Sequence, residues 1–256
     1  MSSSNHRSEN GGPDYSAAHE RTSSIYPGQR PVLAIDTALG SCAAAVYDAG
    51  LGEILAAESI DMDRGHAEAI IPMVERVVRT SRVDFEDMER IVTTVGPGSF
   101  TGLRVGIAAA RGFGLASDKP VVGVSTLDAL TAPYVTETET VPIVGAIDAR
   151  HNNFYLQMIG AGGRKLVTPR VVSMAEAIRS CAIGLVRIIG SGANLLAGQW
   201  PTSIPAPLLV DARAAPDIVW IARLGARAEI ATSPPRPLYL RSPDAKPQDA
   251  AKLPRR

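Results

Sequence analysis

A run of small residues at helical spacing constrains the fold of this chain more than any other feature. It follows the apolar segment Ile91–Val95, a predicted buried strand, and places Gly102, Gly106, Ala110 and Gly114 four residues apart. On an α-helix this spacing makes a continuous ridge with almost no side chain. Glycine costs roughly 1 kcal/mol relative to alanine in a helix interior. We therefore predict that a helix or a stretch of backbone approaches the ridge closely, and that it belongs either to the chain's own fold or to a second protein.

Composition limits the classes of protein to which the chain can belong. The 256 residues carry a formal net charge of +0, so no overall basic field favours unaided binding of nucleic acid. No run of about 18 apolar residues predicts a membrane span. The two cysteines, Cys42 and Cys181, lack metal-ligand spacing and fit a reducing cytoplasm. Residues 1–30 are rich in Ser, Asn, Gly, His and Arg, and we expect a disordered N-terminal extension there.

A pattern of strands and helices that occurs twice predicts two related α/β lobes. The segment AIDT at 34–37 is echoed by AIDA at 146–149, and each precedes a polar turn and a second strand. A strand leads into a Gly-x-Gly turn that ends at Gly98, and a helix follows. The same order recurs around a Gly-x-Gly turn that ends at Gly192. We predict a βββαβα pattern in each lobe. The predicted N-terminal lobe spans 31–138, the C-terminal lobe spans 139–240 with a helix near 215–230, and a proline-rich basic tail follows at 241–256.

Two polar turns in this pattern are candidate phosphate-binding loops. A strand that ends in Asp before a Gly, Ser or Thr turn can bring backbone N–H groups and a carboxylate to a phosphate or its Mg²⁺. The alternatives are a hairpin whose aspartate bonds the turn amides and an ordinary helix start. The second turn carries Arg150 and His151 where a phosphate needs close backbone approach, so we interpret that loop as degraded. The candidate residues of these vestigial nucleotide loops are Asp36, Thr37, Ser41, Asp148, Gly190 and Gly192.

Few residues in the predicted lobes are suited to hold a metal ion. His66 opens a predicted amphipathic helix, but no second histidine lies three or four residues further on. We therefore predict no metal site and interpret His66 as a capping or interface residue. The segment GPGSFTG lacks the spacing of a G-x-S-x-G nucleophile elbow. Ser99 or Thr101 is instead the predicted N-cap of the glycine-ridge helix.

Six segments of the chain, in order, resemble those of one known family. They are IDT at 35–37, GHAEAIIPM at 65–73, VGPGSFTGLRVGIAAARGFGLAS at 95–117, KPVVGVSTLDAL at 119–130, IDAR at 147–150 and PLYLR at 237–241. The sequence is therefore similar to the TsaB (YeaZ-like) family, the bacterial tRNA threonylcarbamoyladenosine biosynthesis proteins. The resemblance runs from Val32 to Arg241 and leaves the N-terminal extension outside.

This resemblance implies a two-lobed actin/hexokinase-like (ASKHA) fold and a non-catalytic role. Members of the family are partners of the catalytic subunit TsaD. With TsaD and the ATPase TsaE they form threonylcarbamoyladenosine next to the anticodon of tRNAs that read codons beginning with A. TsaD-like proteins carry an H-x-x-x-H metal pair, in whose places this chain has Thr126 and Leu130. The resemblance thus implies no cofactor of its own, a metal only on TsaD, a nucleotide at most at the complex interface, only indirect contact with tRNA, and a cytoplasmic location.

In the family, the first-lobe helices contact TsaD or, without TsaD, a second copy of the chain. Carried onto this sequence, the interface residues are His66, Ile70, Ile71, Val74, Val78, Gly102, Gly106, Ala110 and Gly114. We expect Gly102→Leu or Gly106→Leu to leave the monomer folded and to abolish partner binding. Two alternatives are an ATP-binding kinase-like transferase of the same fold and a glycoprotease-type peptidase. For the peptidase the chain lacks both the metal pair and a Ser/His/Asp arrangement.

Overall fold

Two five-stranded mixed sheets form the framework of the protein in a computed structural model, which describes residues 26–138 and 140–241. The first sheet has the order β3-β2-β1-β4-β5 and consists of β1 (Pro31–Asp36), β2 (Ser41–Asp48), β3 (Glu53–Asp61), β4 (Arg90–Gly96) and β5 (Val121–Ser125). The second has the order β10-β9-β6-β7-β8 and consists of β6 (Ile143–Asp148), β7 (Asn153–Ile159), β8 (Lys165–Ser173), β9 (Arg187–Ile189) and β10 (Leu209–Asp211).

The two sheets repeat one topology. In each lobe the first strand pairs antiparallel with the second and parallel with the fourth. This repetition confirms the predicted duplication and the two-lobed ASKHA-like fold. Most of the predicted N-terminal extension and of the basic tail, residues 1–25 and 242–256, lies outside the described residues.

Two long helices cover one face of the first sheet. Helix α1 (His66–Ser81) turns an apolar stripe toward the sheet, with residues spaced by three and four positions. The buried members of this stripe are Ile70, Met73, Val74 and Val77. Burial of one such side chain stabilises the fold by about 1.5–3 kcal/mol. Helix α2 (Phe100–Ser117) lies beside α1 and begins where the Ser99 Oγ accepts the Gly102 N–H at 3.3 Å, so Ser99 is the predicted cap.

Four shorter helices complete the lobes. Helix α3 (Thr126–Thr131) lies between the two sheets, where Leu127 and Leu130 pack on Ile147. Helices α4 (Met174–Cys181) and α5 (Ala193–Gly198) cover the second sheet. Within the described ranges, the search for a helix long and apolar enough to cross a membrane finds none.

The last helix covers the opposite face of the first sheet. Helix α6 (Ile218–Arg227) packs Ile221 and Ala222 against Val32 and Val92. The helix predicted near 215–230 is therefore shorter, and its assignment to the C-terminal lobe is wrong. Its apolar stripe is visible in the sequence, but the stripe does not specify which of two similar sheets it covers. With helices on both faces, β1 and β2 are buried along their whole length.

Candidate functional site

The aspartate at the end of β1 is enclosed by the protein. Asp36 is 0% exposed, and its Oδ1 accepts the Ala38 N–H at 3.0 Å and the Thr94 Oγ1–H at 2.5 Å. Burial raises the pKa of the Asp36 carboxyl, and the bonds from Thr94 and Ala38 oppose that shift. Oδ2 is buried and has no hydrogen-bond partner among the described residues. Asp36 therefore bonds its own turn through Ala38 and the neighbouring strand β4 through Thr94.

The turn after Asp36 is fastened to the start of α2. The Thr37 Oγ1–H donates to the Gly102 carbonyl at 2.7 Å, and the Ser99 N–H donates to the Ala38 carbonyl at 2.7 Å. Ser41, at the start of β2, is buried as well. The assignment of Asp36, Thr37 and Ser41 to a vestigial phosphate loop stays a prediction, since these residues are enclosed and their turn is hydrogen-bonded to the start of α2. The hairpin alternative is confirmed.

The glycine ridge packs against the same turn and the strands beside it. A Cβ on Gly102 would lie 2.1 Å from the Thr37 carbonyl oxygen, and one on Gly106 would lie 2.6 Å from the Thr37 Oγ1. A Cβ on Gly114 would lie 2.4 Å from the Val121 Cγ2. Ala110 is also buried. The partner that the ridge requires is the chain itself, so the prediction that these four positions form a partner interface is wrong.

The predicted interface residues of α1 divide between core and surface. Ile70 and Val74 lie in the core of the first lobe and cannot reach a partner, so these two assignments are wrong. Val78 is half-buried against that core. His66 is half-buried, with its Nε2 at 3.2 Å from the Leu39 carbonyl oxygen. Ile71 is 49% exposed and remains available to a partner.

The solvent side of α1 and α2 presents small and apolar residues, of which sequence reasoning had included only Ile71. We define this outer face by Ala67, Ile71, Ala108, Gly112 and Leu115. Leu115 is 88% exposed, and a Cβ on Gly112 would have no heavy atom within 4 Å. The available signal was the second periodicity of α2, since Ala108 and Leu115 lie about one and about three turns beyond Arg104 on the helix side opposite the ridge.

The second polar loop, between β6 and β7, is shaped by its own backbone. The Asp148 Oδ1 accepts the Arg150 N–H at 2.8 Å, and Arg150, His151 and Asn152 all have positive φ, at 62°, 51° and 61°. Three consecutive bulky residues in the left-handed region support the interpretation of a degraded phosphate loop.

The glycines that precede α5 are also enclosed. A Cβ on Gly190 would lie 2.4 Å from the Ala146 carbonyl oxygen, and one on Gly192 would lie 2.7 Å from the Phe154 ring. Both glycines are buried, and Gly192 is the N-cap of α5. The alternative of an ordinary helix start is confirmed, and the assignment of Gly190 and Gly192 to a vestigial nucleotide loop stays a prediction.

A cleft of about 1150 Å³ lies between the lobes. Its walls include the N-termini of α1 and α2, the β1–β2 and β6–β7 loops, and the chain segment Leu238–Arg241. Charged residues of both signs line it, together with His66: Arg64, Arg150 and Arg241, and Asp63, Glu68 and Asp148. Among the residues that the structure describes, no group of three or more His, Cys, Asp or Glu side chains is placed to hold a metal.

The two positions that correspond to the TsaD-like metal pair lie inside the protein. Thr126 and Leu130 are each 0% exposed at α3, where Leu130 packs on Ile147. Neither a hydroxyl nor an isobutyl group replaces an imidazole as a ligand for a soft or borderline metal. Of the two, Leu130 belongs to the apolar cluster that joins α3 to the second lobe.

The chain resembles proteins of one family in its sequence. The family model described as TsaD, tRNA N6-adenosine threonylcarbamoyltransferase, matches residues 53–189. The chain is 36% identical over 124 residues to the tRNA threonylcarbamoyladenosine biosynthesis protein TsaB of Escherichia coli, which covers 48% of this chain and 52% of that protein. It is 32% identical over 220 residues to an uncharacterised protein of Mycobacterium tuberculosis, which covers 84% of this chain and 94% of that protein.

A solved structure extends the likeness to the whole fold. YeaZ from Pseudomonas aeruginosa superposes with a TM-score of 0.67 at 25% identity, covering 82% of this chain and 100% of that one. The alignments to TsaB of Escherichia coli and of Haemophilus influenzae span about half of the length of those relatives, 52% and 53%. The match of the family model to more than half of the chain, the mycobacterial relative aligned over nearly its full length, and the shared fold of YeaZ show that the chain belongs to the TsaB/YeaZ family.

Proposed function

We propose that this protein is a non-catalytic partner of TsaD in the biosynthesis of threonylcarbamoyladenosine on tRNA, and that TsaD docks on the outer face of α1 and α2. The observation that carries the proposal is the outer face itself, where Leu115 is 88% exposed and Gly112 has open space above its backbone. The similarity to TsaB proteins supports the pathway.

The composition of the outer face suits a helical partner. Exposed Leu115 and Ile71 gain free energy when a second surface removes them from water, at about 25 cal/mol per Å² of apolar area. Ala108 and Gly112 leave room for a helix to approach closer than ordinary side chains permit. Exposed charges such as Arg104 border these residues, as at the rim of a protein interface.

The assignment of a supporting role rests on what the cleft and its loops contain. Thr126 and Leu130 replace the histidine pair, and the turn after Asp36 is hydrogen-bonded to the start of α2. We therefore assign any metal to TsaD, any nucleotide to the interface of the complex, and contact with tRNA to the assembled complex that includes TsaE. The same outer face would join two copies of this chain when TsaD is absent, and the complex would work in the cytoplasm.

A charge on the outer face tests the docking site. Leu115→Glu is compared with Leu208→Glu, which changes a leucine of the second lobe that is 55% exposed. Because a carboxylate at an interface core is desolvated without a partner, we expect Leu115→Glu to weaken TsaD binding at least about tenfold. Leu208→Glu should bind TsaD like the wild type. Calorimetry with purified TsaD gives the affinities, and reconstituted tRNA modification with TsaD and TsaE gives the activity.

Two results would contradict the proposal. Equal TsaD affinity of the wild type and Leu115→Glu would remove the outer face as the docking site. Full tRNA modification by TsaD and TsaE without this protein would remove the supporting role. Because the two variants carry the same change on different lobes, a general effect of the added charge would appear in both.

A further inference from the structure

The segment Pro235–Arg241, here called the strap, crosses the first sheet near the C-terminal ends of β4 and β5. Its first residue lies against Gly123 of β5. The Leu238 N–H donates to the Val95 carbonyl of β4 at 2.7 Å. The Leu238 carbonyl oxygen lies 3.0 Å from the place that a Cβ on Gly96 would take, so the two backbones are in close contact. The strap is therefore seated on the first lobe by its main chain.

An aromatic cluster anchors the strap to the first turns of α2. The Tyr239 ring stacks on the Phe100 ring, with 5.1 Å between centroids and 29° between planes. The Arg104 guanidinium lies 3.8 Å from the Phe100 centroid, and its Nε–H donates to the Tyr239 hydroxyl at 3.1 Å. Stacked rings and a cation on a ring face are both attractive arrangements. Tyr239 is nevertheless half-exposed, so the anchor buries little area.

The end of the strap reaches the second lobe. The Arg241 Nη1–H donates to the Ala149 carbonyl at 3.2 Å, in the loop between β6 and β7. The strap residues Leu238–Arg241 and this loop both line the interlobe cleft. Elsewhere in the cleft wall the lobes meet through the apolar cluster of α3, to which Leu39 and Tyr155 contribute. At one part of the cleft wall the lobes are joined by the packed apolar cluster of α3. At another they are joined by the hydrogen bond from Arg241 to Ala149.

We propose that the strap is a latch that holds the two lobes together across the cleft, and that release of Tyr239 and Arg241 lets the cleft open about the α3 cluster. The apolar cluster serves as the hinge because buried contacts persist while a few surface contacts break. The latch is a property of the chain alone and does not rest on the proposed partner. Its test therefore uses the isolated protein.

Distances between the lobes measure the latch directly. Spin labels at Arg64→Cys and His151→Cys stand on the two sides of the cleft, and both positions are exposed. The native Cys42 and Cys181 are buried, which raises the pKa of their thiols to about 11 and about 12, so they remain unlabelled in the folded protein. Pulsed electron paramagnetic resonance then reports the interlobe distance.

The variant Tyr239→Ala/Arg241→Ala is compared with Arg236→Ala, an exposed arginine of the same strap. We expect the double variant to shift the interlobe distance to longer values with a broader distribution, and Arg236→Ala to match the wild type. Amides of Leu238 and of the β6–β7 loop should exchange hydrogen roughly tenfold faster in the double variant, from the loss of a stacked pair and a hydrogen bond.

An unchanged distance distribution in the double variant would overturn the latch, even if strap amides lose protection. Melting curves and circular dichroism establish that each variant is folded. If the double variant does not fold, Arg241→Ala and Tyr239→Phe are judged by the same criterion. The first removes the hydrogen bond to Ala149, and the second keeps the stacked ring while removing the bond from Arg104.

Discussion

Gly102→Ala separates a ridge that serves the chain's own fold from one that serves a partner. A Cβ on Gly102 would lie 2.1 Å from the Thr37 carbonyl oxygen, far inside van der Waals contact. That oxygen belongs to the backbone and cannot rotate away. The Thr37 Oγ1–H also donates to the Gly102 carbonyl at 2.7 Å, so the two segments are held together at this point. The added methyl group must push α2 away from the β1–β2 turn.

Three contributions set the size of the effect. Overpacking of a tight interior costs about 1–3 kcal/mol, and weakening the buried hydrogen bond costs about 0.5–1.5 kcal/mol. The better helix propensity of alanine offsets up to about 1 kcal/mol. We expect the free energy of unfolding to fall by about 2 kcal/mol, which for a chain of this length lowers Tm by roughly 4–8 °C.

Gly112→Ala on the same helix is the matched control. A Cβ there meets no heavy atom within 4 Å, so only the propensity gain remains. We expect this variant to gain up to about 1 kcal/mol, or roughly 2–4 °C in Tm. Urea titrations and thermal melts of both variants measure the pair. If Gly102→Ala is as stable as the wild type, or if both substitutions move Tm in the same direction, the contact argument for the ridge fails.

Two further predictions concern buried charges. Burial raises the pKa of Asp36, so the native state holds this proton more tightly than the unfolded chain, and stability falls as pH rises from the ordinary carboxyl range through the pKa of Asp36. Asp36→Asn should therefore gain stability relative to the wild type as pH rises above the ordinary carboxyl range in urea titrations, whereas parallel curves would contradict this. The buried Arg90 Nη1–H donates at 2.7 Å to the carbonyl of Ala228, the residue after α6. Arg90→Met should therefore lower the free energy of unfolding by about 2–4 kcal/mol. Arg30→Met removes an exposed pair with the same Glu89 and should change the melting curve much less; equal losses would refute the burial argument.

The duplicated fold was predictable because short apolar strands with polar ends occur in the same order twice. The AIDT and AIDA segments mark the first strand of each sheet, and the antiparallel second strand follows a turn of four residues in each lobe. Elements with little periodicity were harder to recognise in the sequence. Strand β10, Leu209–Asp211, has only three residues and pairs in parallel with β9, so neither its length nor an alternation pattern distinguishes it from a loop.

Which side of α2 packs on the chain's own fold was not predictable from spacing alone. A row of small residues indicates that something approaches the helix, but it carries no information about what does. The decisive contacts join Gly102 to the Thr37 carbonyl, 65 positions away in the chain. The same limit explains α6, whose apolar stripe fits either sheet until the return path of the chain assigns it to the first.

The argument that an unfavourable glycine in a helix indicates close approach of another surface applies to Gly112 rather than to the ridge. Gly102, Gly106 and Gly114 each have an atom of their own chain within 2.6 Å of the place of a Cβ, so the fold explains them. At Gly112 the fold explains nothing, because open space lies above it and alanine would favour the helix by roughly 1 kcal/mol. Leu115, three positions further along, leaves a large apolar side chain in water. A monomer gains from neither residue, whereas a second surface pressed against α2 gains from both. Small residues on α2 therefore have two explanations, which are contact with the chain itself on the inner side and, in our proposal, close approach of a partner on the outer side.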